Sequence, residues 1–352
     1  MTYASDFNSQ TSSDTTHSIN AAGRAGGRVM PLPPLYLLTF RPNLKPTIWG
    51  GSMIAALKGL SDAPPAVGES WEVSAVEGRE SVVAEGSLAG YTLSELTSLY
   101  HEALVGADAY SRFGDYFPLL VKIIEATDDL SVQVHPGEEL ARSRYHTHGK
   151  DEMWYILRSA PGATIMAGFA RELDAATFMR HLESHTLGEV INRFDSHRGD
   201  VYNLPAGRIH SIGAGNLLVE VQRSADLTFR VFDYDRLDAS GSPRELHVEQ
   251  AVEAIDFSDT ASARHHTDPD SVADTDIHIC DFCRVKRIKV NGCRLVPDAG
   301  DAFVIMTCIE GSGLVTAGES EVSLSAGNSL LMPAALSNAT ARGEMTLLLI
   351  LL

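Results

Sequence analysis

The sequence predicts a mainly β fold, its strands rolled into double-sheet jelly rolls or small barrels and joined by a few short helices. Three observations carry this. Short apolar runs (FPLLVKIIEA, LSVQVHP, EMWYILR, DVYNLP, NLLVEVQ) recur at regular intervals between turn residues. Only three stretches show the 3.6-residue period of an amphipathic helix. The last segment, 277–352, returns to strands and turns, as in FVIMTCIEGSGLVTAGESEVSLSAGNSLLMPA.

Along the chain, residues 1–33 are rich in Ser, Thr, Asn, Gly and Ala without a hydrophobic period, and we expect a disordered tail. Met30 stands where order is expected to begin, so the tail is either a real extension or an upstream start. Residues 35–87 read as short strands broken by Pro and Gly, including NLKPTIWGG and GESWEVSAVEG. In TLSELTSLYHEAL (92–104), Leu93, Leu96, Leu99, Tyr100 and Leu104 share a helix face, with Thr92 and Glu95 placed as a capping box. A second helix is expected over 174–184, capped by Asp174, and a third short one over 245–256. The polar stretch 258–276 reads as a linker. The expected organisation is therefore a tail (1–33), a catalytic β domain with short helical insertions (34–257), the linker (258–276) and a smaller β domain without metal (277–352).

Composition narrows the function. A chain of 352 residues with 44% apolar content can bury a sizeable core. Its formal charge of −18 disfavours a nucleic-acid partner, which needs a clustered basic surface, so any phosphate must be met by a few local cations. The longest apolar run, MTLLLILL, falls well short of the ~20 residues that cross a bilayer, so no membrane partner is expected. Cysteines stand only at 280, 283, 293 and 308, and a reducing cytoplasm is expected. Cys280 and Cys283 form a lone C-x-x-C without a second pair, and we expect structural cysteines there.

The chemistry begins at S-V-Q-V-H-P. Strict alternation puts Ser131, Gln133 and His135 on one face of a strand and Val132 and Val134 on the other. An imidazole beside an amide oxygen suits zinc if a carboxylate and another imidazole join them. Glu152 opens the apolar strand of GKDEMWYILR, and His210 follows the turn of LPAGRIHSIG. Together Gln133, His135, Glu152 and His210 supply one anion and three neutral ligands, which leaves zinc a residual positive charge. A competing set, His146, His148 and Glu152, spells H-x-H-x-x-x-E in a polar, turn-like segment.

These segments, with IWGG and GESWE upstream and LLVEVQRSADLTFRVFDYDR downstream, occur in the order found in the type I phosphomannose isomerases, which the chain resembles over residues 35–240 and in outline beyond. The resemblance implies two cupin-type jelly-roll β-barrel domains and one Zn2+ per chain on Gln133, His135, Glu152 and His210. It places Lys150, Glu220 and Arg230 in catalysis, and Lys122, Ser131, Glu69 and Arg236 at the substrate and its phosphate. The residue before Trp49 is Ile48, where the family has a polar one, and Arg236 stands where longer members have Lys. The implied reaction interconverts mannose 6-phosphate and fructose 6-phosphate through a cis-enediol. Its base stays open between Lys150, Glu220, a metal-bound water and His210. The implied partner is a small sugar phosphate, and the assembly a monomer or homodimer. The rival readings are a non-catalytic cupin that senses a sugar phosphate and an iron cupin dioxygenase built on His146, His148 and Glu152.

Overall fold

The computed structural model describes residues 31–237, 241–297 and 299–352. The tail expected over 1–33 lies, up to residue 30, outside the described residues, and residues 31–34 carry no helix or strand. Leu35–Leu352 forms one compact unit.

Three sheets of antiparallel strands make up this unit. The middle sheet runs, in spatial order, Arg264–His266, Asp200–Leu204, Glu152–Ser159, Asn216–Arg223, Leu119–Ala126, Val67–Val73 and Leu44–Gly51. A five-stranded sheet runs Phe229–Phe232, Val132–Val134, His210–Ile212, Thr164–Phe169 and Ile191–Asp195. The third is built from the C-terminal strands, among them Arg284–Leu295, Val304–Ala317 and Thr340–Leu351, and takes in Leu38–Thr39 at one edge.

The middle sheet is covered on both faces. Met153, Tyr155, Val219, Val221, Val121 and Ile123 pack in one core with Val285, Ile305, Leu348 and Ile350 of the C-terminal sheet. On the opposite face Trp154, Ile156, Leu218 and Ile124 pack with Ile165, Ala167 and Ile212 of the five-stranded sheet. Each such Leu or Ile contributes roughly 1.5–3 kcal/mol by leaving water. Double coverage is why EMWYILR and FPLLVKIIEA read as apolar runs rather than as alternating strands.

The expected pair of jelly-roll barrels is corrected. The chain is a mixed α/β fold with 16% helix and 41% strand, and no sheet closes into a barrel. A barrel needs its first and last strands hydrogen-bonded to each other, whereas Arg264–His266 and Leu44–Gly51 stay at opposite edges of the middle sheet. The sheets bury their apolar faces by stacking instead. The 258–276 stretch, expected as a linker, contributes the edge strand Arg264–His266, paired with Asp200–Leu204. Among the described residues no helix is long and apolar enough to cross a membrane.

Two helix expectations are met at their caps. The helix Leu93–Tyr100 starts at Thr92, whose side chain accepts from Glu95 N (3.2 Å) while Glu95 Oε2 accepts from Thr92 N (2.7 Å). It ends earlier than 104, because His101 takes φ 48° and starts a second short helix, Glu102–Val105. Asp174 caps Ala175–Glu183 by accepting from Thr177 N at 2.6 Å. The third helix is Val248–Ala254. The IWGG segment has a steric reason: a Cβ on Gly50 would lie 2.1 Å from Ala66 O, and one on Gly51 1.9 Å from Glu125 Oε1. Only glycines let these segments approach so closely.

Thr92→Ala removes one half of the capping box and is expected to lower unfolding stability by about 1 kcal/mol. Urea denaturation followed by circular dichroism measures this, and an unchanged midpoint would contradict the capping role.

Candidate metal centre

Strand register gathers the site. In the five-stranded sheet Gln133 is flanked by its direct cross-strand neighbours His210 and Arg230. In the middle sheet Glu220 lies between Lys122 and Trp154, and Gln222 is opposite Glu152. Direct neighbours in antiparallel strands sit about 4.5–5.5 Å apart, so residues far apart in sequence become adjacent. The inner faces of the two sheets then bring both groups into one space.

At its centre, one ring nitrogen each of His135 and His210 and a Glu152 oxygen lie within 4.8 Å of one another. All three residues are buried, Glu152 completely. Glu152 Oε2 is 3.3 Å from His135 Nε2, and Oε1 is 3.3 Å from His210 Nε2. Each imidazole donates its Nδ1–H to a backbone carbonyl, His135 to Leu227 O (3.1 Å) and His210 to Arg208 O (2.8 Å). This fixes the tautomer and turns each Nε2 lone pair inward, as metal-bound histidines require. His135 Nε2 and both Glu152 oxygens are buried without a hydrogen-bond partner among the described residues. Such atoms are costly unless something bridges them, so the donor set fits a cation. The Gln133 side-chain amide meets His210 Nε2 at 3.2 Å, and a half-turn of that amide presents its oxygen to the same point.

The electrostatics suit ligation. Burial, aided by Lys150, pushes the His135 imidazole down to about 3, and burial also lowers that of His210, so both are neutral near pH 7. Burial works to raise the Glu152 carboxyl, but the charge on neighbouring Lys150 opposes it, and the carboxyl sits well below the usual carboxylate range. Lys150 Nζ lies 3.3 Å from Glu152 Oε2.

Beside this cluster opens a cavity of about 530 Å³ whose walls include Glu69, Lys122, Ser131, Gln133, Lys150, Glu220 and Arg230. Lys122 Nζ is 3.0 Å from Glu220 and 3.9 Å from Glu69. Burial, with Glu152 nearby, pushes the Glu220 carboxyl up even though Lys122 opposes it. Glu69 goes the other way: Lys122, Lys45 and a bond from Trp71 Nε1 (2.7 Å) overcome its burial. Arg230 donates to Glu245 O (2.7 Å) while its Nε is buried without a hydrogen-bond partner among the described residues.

Arg236 does not line the cavity. Its guanidinium is taken up by Asp233 Oδ1 (2.7 Å), Asp128 Oδ2 (3.2 Å) and Asp129 O. Arg244, bound to the same Asp233, is at the wall instead, as is Lys45. Sequence reasoning missed both; Lys45 shares the alternation of LKPTIW with Trp49, a signal that was available. It also missed Trp154, whose Nε1 donates to Glu220 Oε2 (2.8 Å) while its ring meets His210 edge-on at 5.4 Å. The rival set does not assemble. His146 caps the helix Glu138–Tyr145 on the surface, and His148 stacks on Tyr116 (4.0 Å) and bonds Glu138 (3.1 Å).

A stacked-sheet protein with a His–Glu–His cluster beside a cation-lined cavity is the class that fold and site define. A family model described as phosphomannose isomerase type I, catalytic domain, matches residues 37–164, and one described as mannose-6-phosphate isomerase, cupin domain, matches 273–352. The chain is 35% identical over 300 residues to mannose-6-phosphate isomerase ManA of Bacillus subtilis (strain 168), covering 84% of this chain and 92% of that one. It is 30% identical over 308 residues to mannose-6-phosphate isomerase of Streptococcus mutans, covering 85% and 92%. The crystal structure of the mannose 6-phosphate isomerase from Bacillus subtilis superposes with a TM-score of 0.79 at 30% identity, covering 90% of this chain and all of that one. The chain belongs to the type I phosphomannose isomerase family, and it is an isomerase.

The lowered imidazoles carry a stability consequence for the metal-free chain. Below about pH 6.5 the unfolded chain takes up protons that folded His135 and His210 refuse, so stability falls as pH drops from there toward 3. Histidine NMR of chelator-treated protein should show the His135 ring untitrated between pH 5 and 8 and the His210 ring titrating below the usual imidazole range. Ordinary titration near pH 6.5 would contradict the buried, neutral cluster.

Proposed function

We propose that this chain is a zinc-dependent mannose-6-phosphate isomerase, interconverting mannose 6-phosphate and fructose 6-phosphate through a cis-enediol. The observation that supports it most is the convergence of two tautomer-fixed imidazoles on the buried Glu152, beside a cavity lined by lysine and arginine. Gln133, His135, Glu152 and His210 would hold one zinc ion. Bound there, zinc supplies Lewis acidity for the oxygens flanking the carbon that loses its proton.

The chain's own residues account for the rest. Aldose–ketose conversion moves a proton between C2 and C1, which needs a group able to take it up and give it back. Glu220 and Lys150 are the two candidates. Both are buried at the cavity wall, and burial, with Glu152 nearby, raises the Glu220 carboxyl above its ordinary value. Trp154 holds Glu220 by its Oε2 and leaves Oε1 towards Lys122, 3.0 Å away. The Arg230 guanidinium, at the cavity wall, offsets negative charge developing on an enediolate oxygen. Lys122 and Ser131 supply a cation and a hydroxyl for the phosphoryl group, with Glu69 orienting Lys122. Arg236 reaches that end indirectly, through the Asp233 network it shares with Arg244.

A coupled assay for fructose 6-phosphate should show turnover of mannose 6-phosphate that a chelator abolishes and zinc restores. Chelator-insensitive turnover, or none, would overturn the proposal. Lys150→Met should keep zinc content intact while cutting turnover by orders of magnitude; full turnover in that variant removes Lys150 from proton transfer and leaves Glu220.

A further inference from the structure

The C-terminal sheet holds a second cluster of metal-ligand side chains, where the C-x-x-C pair had been expected to be structural only. Cys280 and Cys283 face each other across the tight turn between the strands Thr275–Ile279 and Arg284–Leu295, closed by Cys280 N donating to Cys283 O at 3.0 Å. Two residues upstream, His278 joins them, so that one ring nitrogen and both sulfurs lie within 4.8 Å of one another. Cys283 and His278 are buried and Cys280 is half-buried. His278 is only 6% exposed, and its Nε2 has no hydrogen-bond partner among the described residues.

The sulfur spacing points to a use. Cys280 Sγ and Cys283 Sγ are 3.8 Å apart. A disulfide would need about 2.05 Å. Two thiolates on a tetrahedral zinc, each about 2.3 Å from the metal, are spaced at roughly 3.8 Å. Two sulfurs and an imidazole form a soft donor set that selects zinc over magnesium or calcium.

We propose that His278, Cys280 and Cys283 form a second metal site, taking zinc or a similarly soft divalent cation, with the fourth position open on the half-exposed Cys280 side. The site is separate from the His135–Glu152–His210 cluster and does not depend on its role. Its place in the fold gives it a purpose. The turn carries Phe282, whose ring lies 5.4 Å from the Arg223 guanidinium, and Arg223 Nε binds Asp151 Oδ2 at 2.6 Å. Asp151 stands between Lys150 and Glu152. A metal clasp on the turn therefore fixes the C-terminal sheet against the arm that carries both residues.

The test is metal loading of the full chain, purified reduced, stripped and reloaded. Zinc should bind at two equivalents per chain, falling to one in the Cys280→Ser, Cys283→Ser double variant. One should also remain in His135→Ala, His210→Ala, which separates this site from the first. Cobalt(II) gives a readout needing no variant: only cysteine can produce a thiolate-to-cobalt charge-transfer band, because the first cluster contains no sulfur. The band should appear in the unaltered chain and vanish with Cys280→Ser. Absence of that band in the reduced chain, or a zinc content and spectrum indifferent to the cysteine substitutions, would overturn the proposal.

Discussion

Glu152 carries a carboxylate into the space between two sheets, where it has no exposed surface. An uncompensated charge in that position costs several kcal/mol even after the protein relaxes around it, and the surroundings of Glu152 are organised against that cost. Lys150 stands 3.3 Å away, and two imidazoles turn their lone-pair nitrogens towards its oxygens. Imidazole lone pairs do not by themselves compensate an anion; they repel it. A cation shared among the three would turn that repulsion into attraction, so the geometry of the buried charge fits a metal.

The demand spreads outward through the sheets. To point Glu152 inwards, its strand must alternate so that Met153 and Tyr155 face the C-terminal sheet, and that sheet must be there to cover them. Glu220, one strand over, inherits a raised carboxyl from burial and from Glu152 itself, with Trp154 bridging from Glu220 to His210. Placing these side chains on central strands rather than loops holds their geometry more tightly than loops would. The C-terminal segment, remote from the chemistry in sequence, is in this sense the back wall of the site.

What the sequence disclosed follows from the range of the interactions involved. The alternation of Ser131, Gln133 and His135 and the Thr92–Glu95 box are local, and both were legible. Sheet closure depends on whether distant edge strands meet, which spacing of apolar runs does not encode, so the barrels expected from that rhythm are open sheets here. The helix Glu138–Tyr145 was read as a polar turn because it buries only Ala141 and so has no apolar period to display. Arg236 was assigned through the resemblance and Arg244 was not singled out; both bind Asp233, and it is Arg244 that reaches the cavity wall. His278 lies within the same short H-x-C-x-x-C run, and its nearness to Cys283 is local, but the reading of the sequence weighed only the cysteine pair.

Anomalous diffraction at the zinc edge from crystals of the zinc-loaded chain tests the central claim most directly. An ion bonded to His135 Nε2, His210 Nε2 and a Glu152 oxygen, with the Gln133 amide oxygen completing the shell, is the predicted result. Zinc-loaded crystals with no peak between those side chains, and Glu152 paired only with Lys150, would contradict it.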